Sequence, residues 1–422
     1  MVGTGRDTAA TVRFIHTSDV HLGSSFERVD AHHGRVGVAL REAVPTAFAR
    51  VVDACLEHEV DFLVVAGDLF DDAGADLSSR SALEREVRRL DEAGIPAYVA
   101  GGNHDPGTSR LRRGVQGLHY FSPSEVERIE HPRDGEVVAV LYGRTHERER
   151  ETRNLAAAFH REAADQNAVA VLHANVGGRT DFEPYAPCTT EDLRAAGMDY
   201  WALGHIHGRT EVLQDDRAWY PGCPQGLSPR DVGPHGCLLV EIADGRAATT
   251  FVETDAVRWA SAHVDVSNAA DPDGVRDALS DACEAVRQEA DRPAVLRAEL
   301  TGRAPVRHDL VRAGALEELL DVVRGEQMAR DPWVWVDRLA DRTSSTIDLD
   351  ELAASESFVG DVVGIARDWL DDPERSRELV AEEVEKAAKR FRLADLEPDA
   401  SAAVTDALDI VLDRLLSEEG TS

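Results

Sequence analysis

From residue 12 to about 245, short apolar runs alternate with amphipathic stretches. The runs at 12–16, 62–66, 97–99, 137–142, 168–172, 200–203 and 237–242 are apolar and of strand length, and they predict β-strands. Between them, 45–59 places Phe48, Val51, Val52, Cys55 and Leu56 at helical spacing, and 81–93 repeats the pattern. This rhythm predicts a layered α/β domain over 12–257, with sheets flanked by helices. Beyond it, strands at 257–266 and 294–300 surround a helix at 272–290, with another helix at 315–323. Residues 258–342 are therefore expected to form a small α+β domain. Residues 343–422 predict a helical C-terminal region, with segments at 357–370, 376–391 and 401–416.

Composition narrows the setting. The chain has 422 residues, 43% of them hydrophobic, enough for more than one core. No stretch is apolar for the roughly 18 to 20 residues of a membrane span, and the first residues lack the apolar core of a signal peptide. No membrane partner and a cytoplasmic location are expected. Five scattered cysteines without a C-x-x-C pair predict buried thiols instead of a disulfide framework. The net charge of -33 repels polyanions on average. Adaptation to concentrated salt is one account of such a surface, and an ordinary acidic cytosolic protein is the other.

Five polar motifs each follow a predicted strand. They are Asp19 and His21 after VRFIHTS, GDLFD at 67–71, GNHD at 102–105, His173 after AVAVL, and GHIH at 204–207. Singly each has an ordinary explanation, such as a turn, a helix cap or a hydrogen-bonded core histidine. Jointly they converge, because the carboxyl ends of strands in α/β sheets are where ligand sites gather. Carboxylate, amide and imidazole donors without thiolates suit a pair of divalent cations, with Asp68 as the natural bridge. Two such cations share a water, lower its pKa and clamp a phosphate.

This set resembles the signature of the calcineurin-like metallophosphoesterase superfamily, D-x-H, GD-x-x-D, GNHD, H, GH-x-H. The resemblance implies that Asp19, His21, Asp68 and His207 hold one metal, and Asp68, Asn103, His173 and His205 the other. It further implies that His104 meets the scissile phosphate or protonates the leaving oxygen, with Asp105 orienting its imidazole and Asp71 steadying a ligand histidine. The stretches FIHTSDVHLGSSFE, PAYVAGGNHDPG and YPGCPQG, with the domain order, resemble the SbcD-type DNA repair exonucleases. By that likeness the chain is a Mn2+-dependent nuclease of DNA break repair. It would act as a 3′ to 5′ exonuclease and a single-strand endonuclease, using hydroxide bound by two metals.

The same likeness implies a capping domain at 258–342, a homodimer, and an SMC-like ATPase subunit of the SbcC type. Phe358, Val362, Ile365 and Leu370 form a candidate stripe for docking that subunit, or for packing on their own core. Arg110, Arg112 and Arg113 are candidate DNA-phosphate contacts, while the cluster of Arg144, Arg148, Arg150 and Arg153 is interleaved with glutamates. Two other readings stand beside the nuclease: a phosphomonoesterase or cyclic-nucleotide phosphodiesterase, and a non-catalytic scaffold for DNA ends or an ATPase.

Overall fold

The computed structural model describes residues 11–24, 34–71, 77–109, 115–180, 182–310, 312–344, 349–391 and 399–419. Two compact units emerge. One comprises Met1–Ala260, Val286–Val295 and Asp331–Asp337, and the other Ser261–Ala285, Leu296–Arg330 and Arg338–Ser422.

The first unit contains strands β1 (Val12–Thr17), β2 (Phe62–Ala66), β3 (Ala97–Ala100), β4 (Leu118–Tyr120), β5 (Glu127–Arg133), β6 (Glu136–Arg144), β7 (Ala168–His173), β8 (Tyr200–Gly204), β9 (Thr210–Leu213), β10 (Ala218–Tyr220), β11 (Gly236–Ala243) and β12 (Arg246–Glu253). Its helices are α1 (Gly34–Glu57), α2 (Leu77–Glu92) and α3 (Thr190–Ala196). Two six-stranded sheets result, ordered β12-β11-β1-β2-β3-β4 and β5-β6-β7-β8-β10-β9.

Residues of alternating parity along the central strands explain the layers. Phe14, Phe62, Val64, Val169, Val171 and Tyr200 fill a core shared by the two sheets. Their neighbours Ile15, Leu63 and Val65 face α1 and α2 instead, while Ala170, Leu172 and Trp201 pack with Leu193 of α3. The sandwich is therefore helix, sheet, sheet, helix, as the alternation predicted. Phe14 stacks on Phe62 at 4.8 Å and meets Tyr200 of the opposite sheet edge-on at 5.6 Å. Each such ring contributes on the order of 1.5–3 kcal/mol of burial.

The seven strands expected before residue 245 are all present, with bounds that agree to within two residues. Helix α1 starts eleven residues earlier than expected. The spacing places its start at Pro45, yet buried Val36, Leu40 and Val44 continue the apolar stripe upstream and leave the proline inside the helix. Strands β5, β9 and β12 were not anticipated because their sequences are largely polar and half exposed.

Downstream, β13 (Arg258–Asp265), β14 (Ala294–Thr301) and β15 (Val334–Asp341) make a three-stranded sheet in that order. They accompany α4 (Pro272–Ala290), α5 (Arg307–Leu310) and α6 (Ala315–Met328). The C-terminal helices are α7 (Leu349–Ala353), α8 (Phe358–Leu370), α9 (Pro373–Phe391) and α10 (Ala400–Glu419). Asp372 caps α9, accepting the N–H groups of Glu374 and Arg375, and Pro373 occupies the first helical position.

The face that α8 buries is Val359, Val363 and Ala366, packed against Leu408 and Leu412 of α10. Phe358 and Ile365 of the expected stripe remain exposed, and Val362 lines an apolar groove of about 690 Å³ together with Trp369, Leu379 and Val404. No described helix is long and apolar enough to cross a membrane.

Candidate metal centre

All the predicted motifs lie at one end of the first unit's two sheets. The loops leaving β1 and β2 run side by side and extend the parallel pairing of those strands. Asp19 N–H donates to the Gly67 carbonyl at 3.0 Å, His21 to Asp68 at 2.9 Å and Leu22 to Leu69 at 3.0 Å. Asp19, His21 and Asp68 adopt left-handed backbone, with φ of 52°, 52° and 51°, and His205 has φ of 107°. Non-glycine residues rarely adopt such angles, and strain of this kind clusters at functional sites.

Two motif glycines are dictated by contact. A Cβ at Gly67, which has φ of 98°, would lie 2.2 Å from His173 Nδ1, and one at Gly102 would lie 2.3 Å from Asp68 Oδ1. The backbone thus approaches the polar side chains more closely than any other residue permits.

The first sheet supplies Asp19, His21, Asp68 and Asn103, and the second supplies His173, His205 and His207. His173 Nδ1 donates to the Ala66 carbonyl at 2.9 Å, which turns Nε2 toward Asn103 Oδ1 at 3.1 Å and Asp68 Oδ2 at 3.3 Å. His21 Nε2 lies 3.9 Å from the same carboxylate oxygen. Among the described residues, close groups of donors include Asp19 with His21 and His207, and Asp19 with Asp68 and His173. Asp19 is thus common to both, a sharing that had been expected of Asp68 alone. His205 stands outside these groups. Its ring is 5.3 Å from that of His173, its Nε2 donates to the Glu183 carbonyl at 2.8 Å, and its backbone N–H donates to Asp19 Oδ2 at 3.0 Å.

These residues fit a cation. His21 Nε2 is buried without a hydrogen-bond partner, and Asp19 and Asp68 are buried carboxylates. Burying two carboxylates side by side is unfavourable unless positive charge joins them. Burial depresses the His21 imidazole to about 4 and that of His205 to about 4, keeping both neutral and ready to donate a lone pair. Burial also acts to lower His173, but the Asp68 carboxylate outweighs it and pushes that imidazole up to about 9. Asp68 is driven the opposite way: burial raises it, and the adjacent His173 holds it below the ordinary carboxylate range. Without an ion, His173 and Asp68 act as each other's counter-charge.

Asp105 and Asp71 hold different partners around His104. Asp105 is fully buried, and its carboxylate accepts backbone N–H bonds from Gly102 at 2.8 Å, Leu69 at 3.0 Å and Asp68 at 3.2 Å. It braces two loops. The carboxylate beside His104 is Asp71, whose Oδ1 is 3.4 Å from Nδ1 while its Oδ2 accepts from Ser24 at 3.1 Å. Hydrogen bonding to Asp71 raises the His104 imidazole, and the same bond lowers Asp71 to about 2. His104 is itself fixed through its backbone N–H, which donates to Asp68 Oδ1 at 2.9 Å, and its side chain is 43% exposed.

Arg110, Arg112 and Arg113 lie outside the described residues. Arg153 is paired with Glu147 at 3.0 Å and with Glu151 at 2.5 Å. Several residues near the centre escaped sequence reasoning. His146 donates to the carbonyl of His173 at 2.7 Å and so supports a candidate ligand from behind. Asp231 and Cys223 lie beside His207. Of these only Cys223 carried a signal, through its place in YPGCPQG, because the others sit in loops without periodicity.

Residues 12–209 match the family model described as calcineurin-like phosphoesterase, and residues 259–344 match that of the middle domain of metallophosphoesterase YhaO. The chain is 31% identical over 342 residues to the uncharacterized metallophosphoesterase YhaO of Bacillus subtilis, covering 80% of this chain and 84% of that protein. It is 29% identical over 273 residues to the DNA double-strand break repair protein Mre11 of Methanopyrus kandleri, covering 58% of this chain and 57% of that one. To the Mre11 protein of Haloferax volcanii it is 31% identical over 240 residues, covering 54% and 49%. The chain thus spans about half the length of these two Mre11 relatives. With the motif residues gathered at one sheet end, and with a relative this similar over most of its length, the chain belongs to the calcineurin-like metallophosphoesterase family.

Proposed function

We propose that this hydrolase is a DNA nuclease using two manganese ions, cutting phosphodiesters from 3′ to 5′ and within single strands. The observation that carries the reading is Asp68 Oδ2 beside two buried imidazole nitrogens, His173 Nε2 at 3.3 Å and His21 Nε2 at 3.9 Å. Asp19, His21, Asp68 and His207 would hold one ion, and Asp68, Asn103, His173 and His205 the other. Bound there, divalent cations supply neutralisation of phosphate charge and acidify a water.

The chain's own residues supply orientation and a proton. Asp68 anchors the His104 backbone, and Asp71 favours the protonated imidazole, so His104 presents an acidic N–H at the open side of the site. The backbone braced by Asp105 holds Asp68 in its strained conformation. DNA as the substrate is supported by the likeness to the two Mre11 repair proteins. A homodimer, and an ATPase subunit of the SbcC type docked on the apolar groove of α8 to α10, belong to the same proposal.

The test is end-labelled DNA and a generic phosphomonoester incubated with Mn2+, Mg2+ or EDTA, beside Asp68→Ala and His104→Ala. DNA shortening with Mn2+, abolished by EDTA and lowered by both substitutions, is the expected result. Turnover of the monoester with DNA untouched would overturn the nuclease reading in favour of a phosphomonoesterase. Full activity in Asp68→Ala would overturn the assignment of the shared ligand.

A further inference from the structure

The segment YPGCPQG, from Tyr220 at the end of β10 to Gly226, touches the metal centre with its first half. Its second half grips residues 254–259, the connector that runs from β12 into β13 and leads out of the first unit. We propose that this segment is a strap coupling the two, with Gln225 as its positioning residue. Filling of the centre and ordering of the connector then favour each other. The proposal rests on His207 being a metal ligand and not on DNA being the substrate.

On the side of the centre, three strap residues meet candidate ligands or their chain neighbours. Tyr220 Oη donates to the carbonyl of Ala174, next to His173, at 2.7 Å. The Gly222 carbonyl accepts from Oγ of Ser18, next to Asp19, at 3.4 Å. Cys223 N–H donates to the His207 carbonyl at 3.1 Å, and a Cβ added at Gly222 would lie 2.6 Å from that same oxygen. A displaced strap therefore displaces His207 with it.

On the side of the connector, the grip is made by a fully buried amide. Gln225 Oε1 accepts from Ala256 N at 2.8 Å and Val257 N at 3.2 Å, while Nε2 donates to the Val257 carbonyl at 2.7 Å and the Gly226 carbonyl at 3.1 Å. Both donors and both acceptor positions of the side chain are used. The Pro224 carbonyl accepts from Thr254 Oγ1 at 2.8 Å, and the Gly226 carbonyl from Trp259 Nε1 at 3.0 Å. A buried network satisfied at every atom is stiff, and Pro221 and Pro224 fix two backbone angles between its ends. Such a strap passes a displacement on instead of absorbing it.

Coupling of this kind is reciprocal: whatever steadies one end steadies the other by the same factor. The experiment compares hydrogen exchange of the full chain stripped with EDTA and loaded with Mn2+, read by mass spectrometry. In wild type, loading should slow exchange of residues 254–259 by about tenfold, with a smaller change in the hairpin of β5 and β6. Gln225→Met keeps the length of the side chain and removes its hydrogen bonds, so calorimetry should show one of the two ions bound about tenfold more weakly. Trp259→Phe removes a single bond within the connector and should weaken the same ion to a smaller extent.

Unchanged Mn2+ binding in both variants, or equal slowing of the hairpin and the connector, would overturn the coupling while leaving the ligands in place. Failure of wild type to bind Mn2+ would instead remove the ligand assignment of His207 and the coupling together. Should Gln225→Met not fold, Trp259→Phe and the exchange of wild type decide in the same way.

Discussion

Asp105 Oδ1 accepts the backbone N–H of Asp68 at 3.2 Å, tying the loop after β3 to the loop after β2. With two further amides on the same carboxylate, Asp105 fixes the loop that presents the candidate shared ligand. Asp105→Asn replaces one acceptor oxygen by a donor that faces an N–H. The expected loss is about 1–3 kcal/mol of stability and on the order of 10–100-fold in Mn2+ affinity. Thermal unfolding together with calorimetric metal titration measures both, and unchanged metal affinity would show that the brace does not position the site.

Asp71 and His104 make a separable prediction. Hydrogen bonding to Asp71 raises the His104 pKa, so the donor stays protonated to higher pH than a free imidazole. Activity that needs the protonated ring falls as pH rises through that value. Asp71→Asn should move this fall toward lower pH and shift the His104 titration the same way in nuclear magnetic resonance of the metal-free protein. Asp105→Asn, acting on the loops, should not.

His16 predicts acid sensitivity from within the sandwich. Its Nε2 donates to the Leu203 carbonyl at 3.2 Å, its Nδ1 accepts from Tyr200 at 2.9 Å, and burial lowers the imidazole to about 3. The folded-state value is depressed below the unfolded 6.5, so the unfolded chain takes up the proton first as pH falls. The contribution to stability is full above about pH 6.5 and is progressively lost toward pH 3, by up to about 1.4 kcal/mol per pH unit. Chemical denaturation at several pH values should show a shallower acid slope in His16→Phe than in wild type.

Gly102→Ala tests the close approach beneath the site. The added methyl would meet Asp68 Oδ1 at 2.3 Å and His173 Cδ2 at 2.8 Å, so at least one candidate ligand must move. A displacement near 1 Å lowers catalysis on the order of 100-fold. Phosphodiesterase rates at saturating Mn2+, paired with circular dichroism to verify folding, distinguish this from general destabilisation. A folded variant with the wild-type rate would refute the constraint.

The convergence of seven residues was legible because each follows a buried, strongly apolar strand whose period and length are read locally. What those residues do to one another was less legible. By sequence distance Asp105 adjoins His104 while Asp71 is 33 residues away, and only the route of the loop after β2 places Asp71 there. The grouping of Cys223, Asp231 and His207 depends on the chain returning after β10, a tertiary event without periodic trace. Strands β5, β9 and β12 escaped because edge positions tolerate polar residues, which blur the alternation that marks a strand.

The two sheets lend this feature a mechanical meaning. Asp19, His21, Asp68 and Asn103 belong to one sheet and His173, His205 and His207 to the other, so any ion held by both sets is a clasp across the sandwich. Sliding of one sheet past the other would slacken that clasp. A remote substitution that loosens the sheet seam is therefore a substitution in the metal centre, however far from it in sequence.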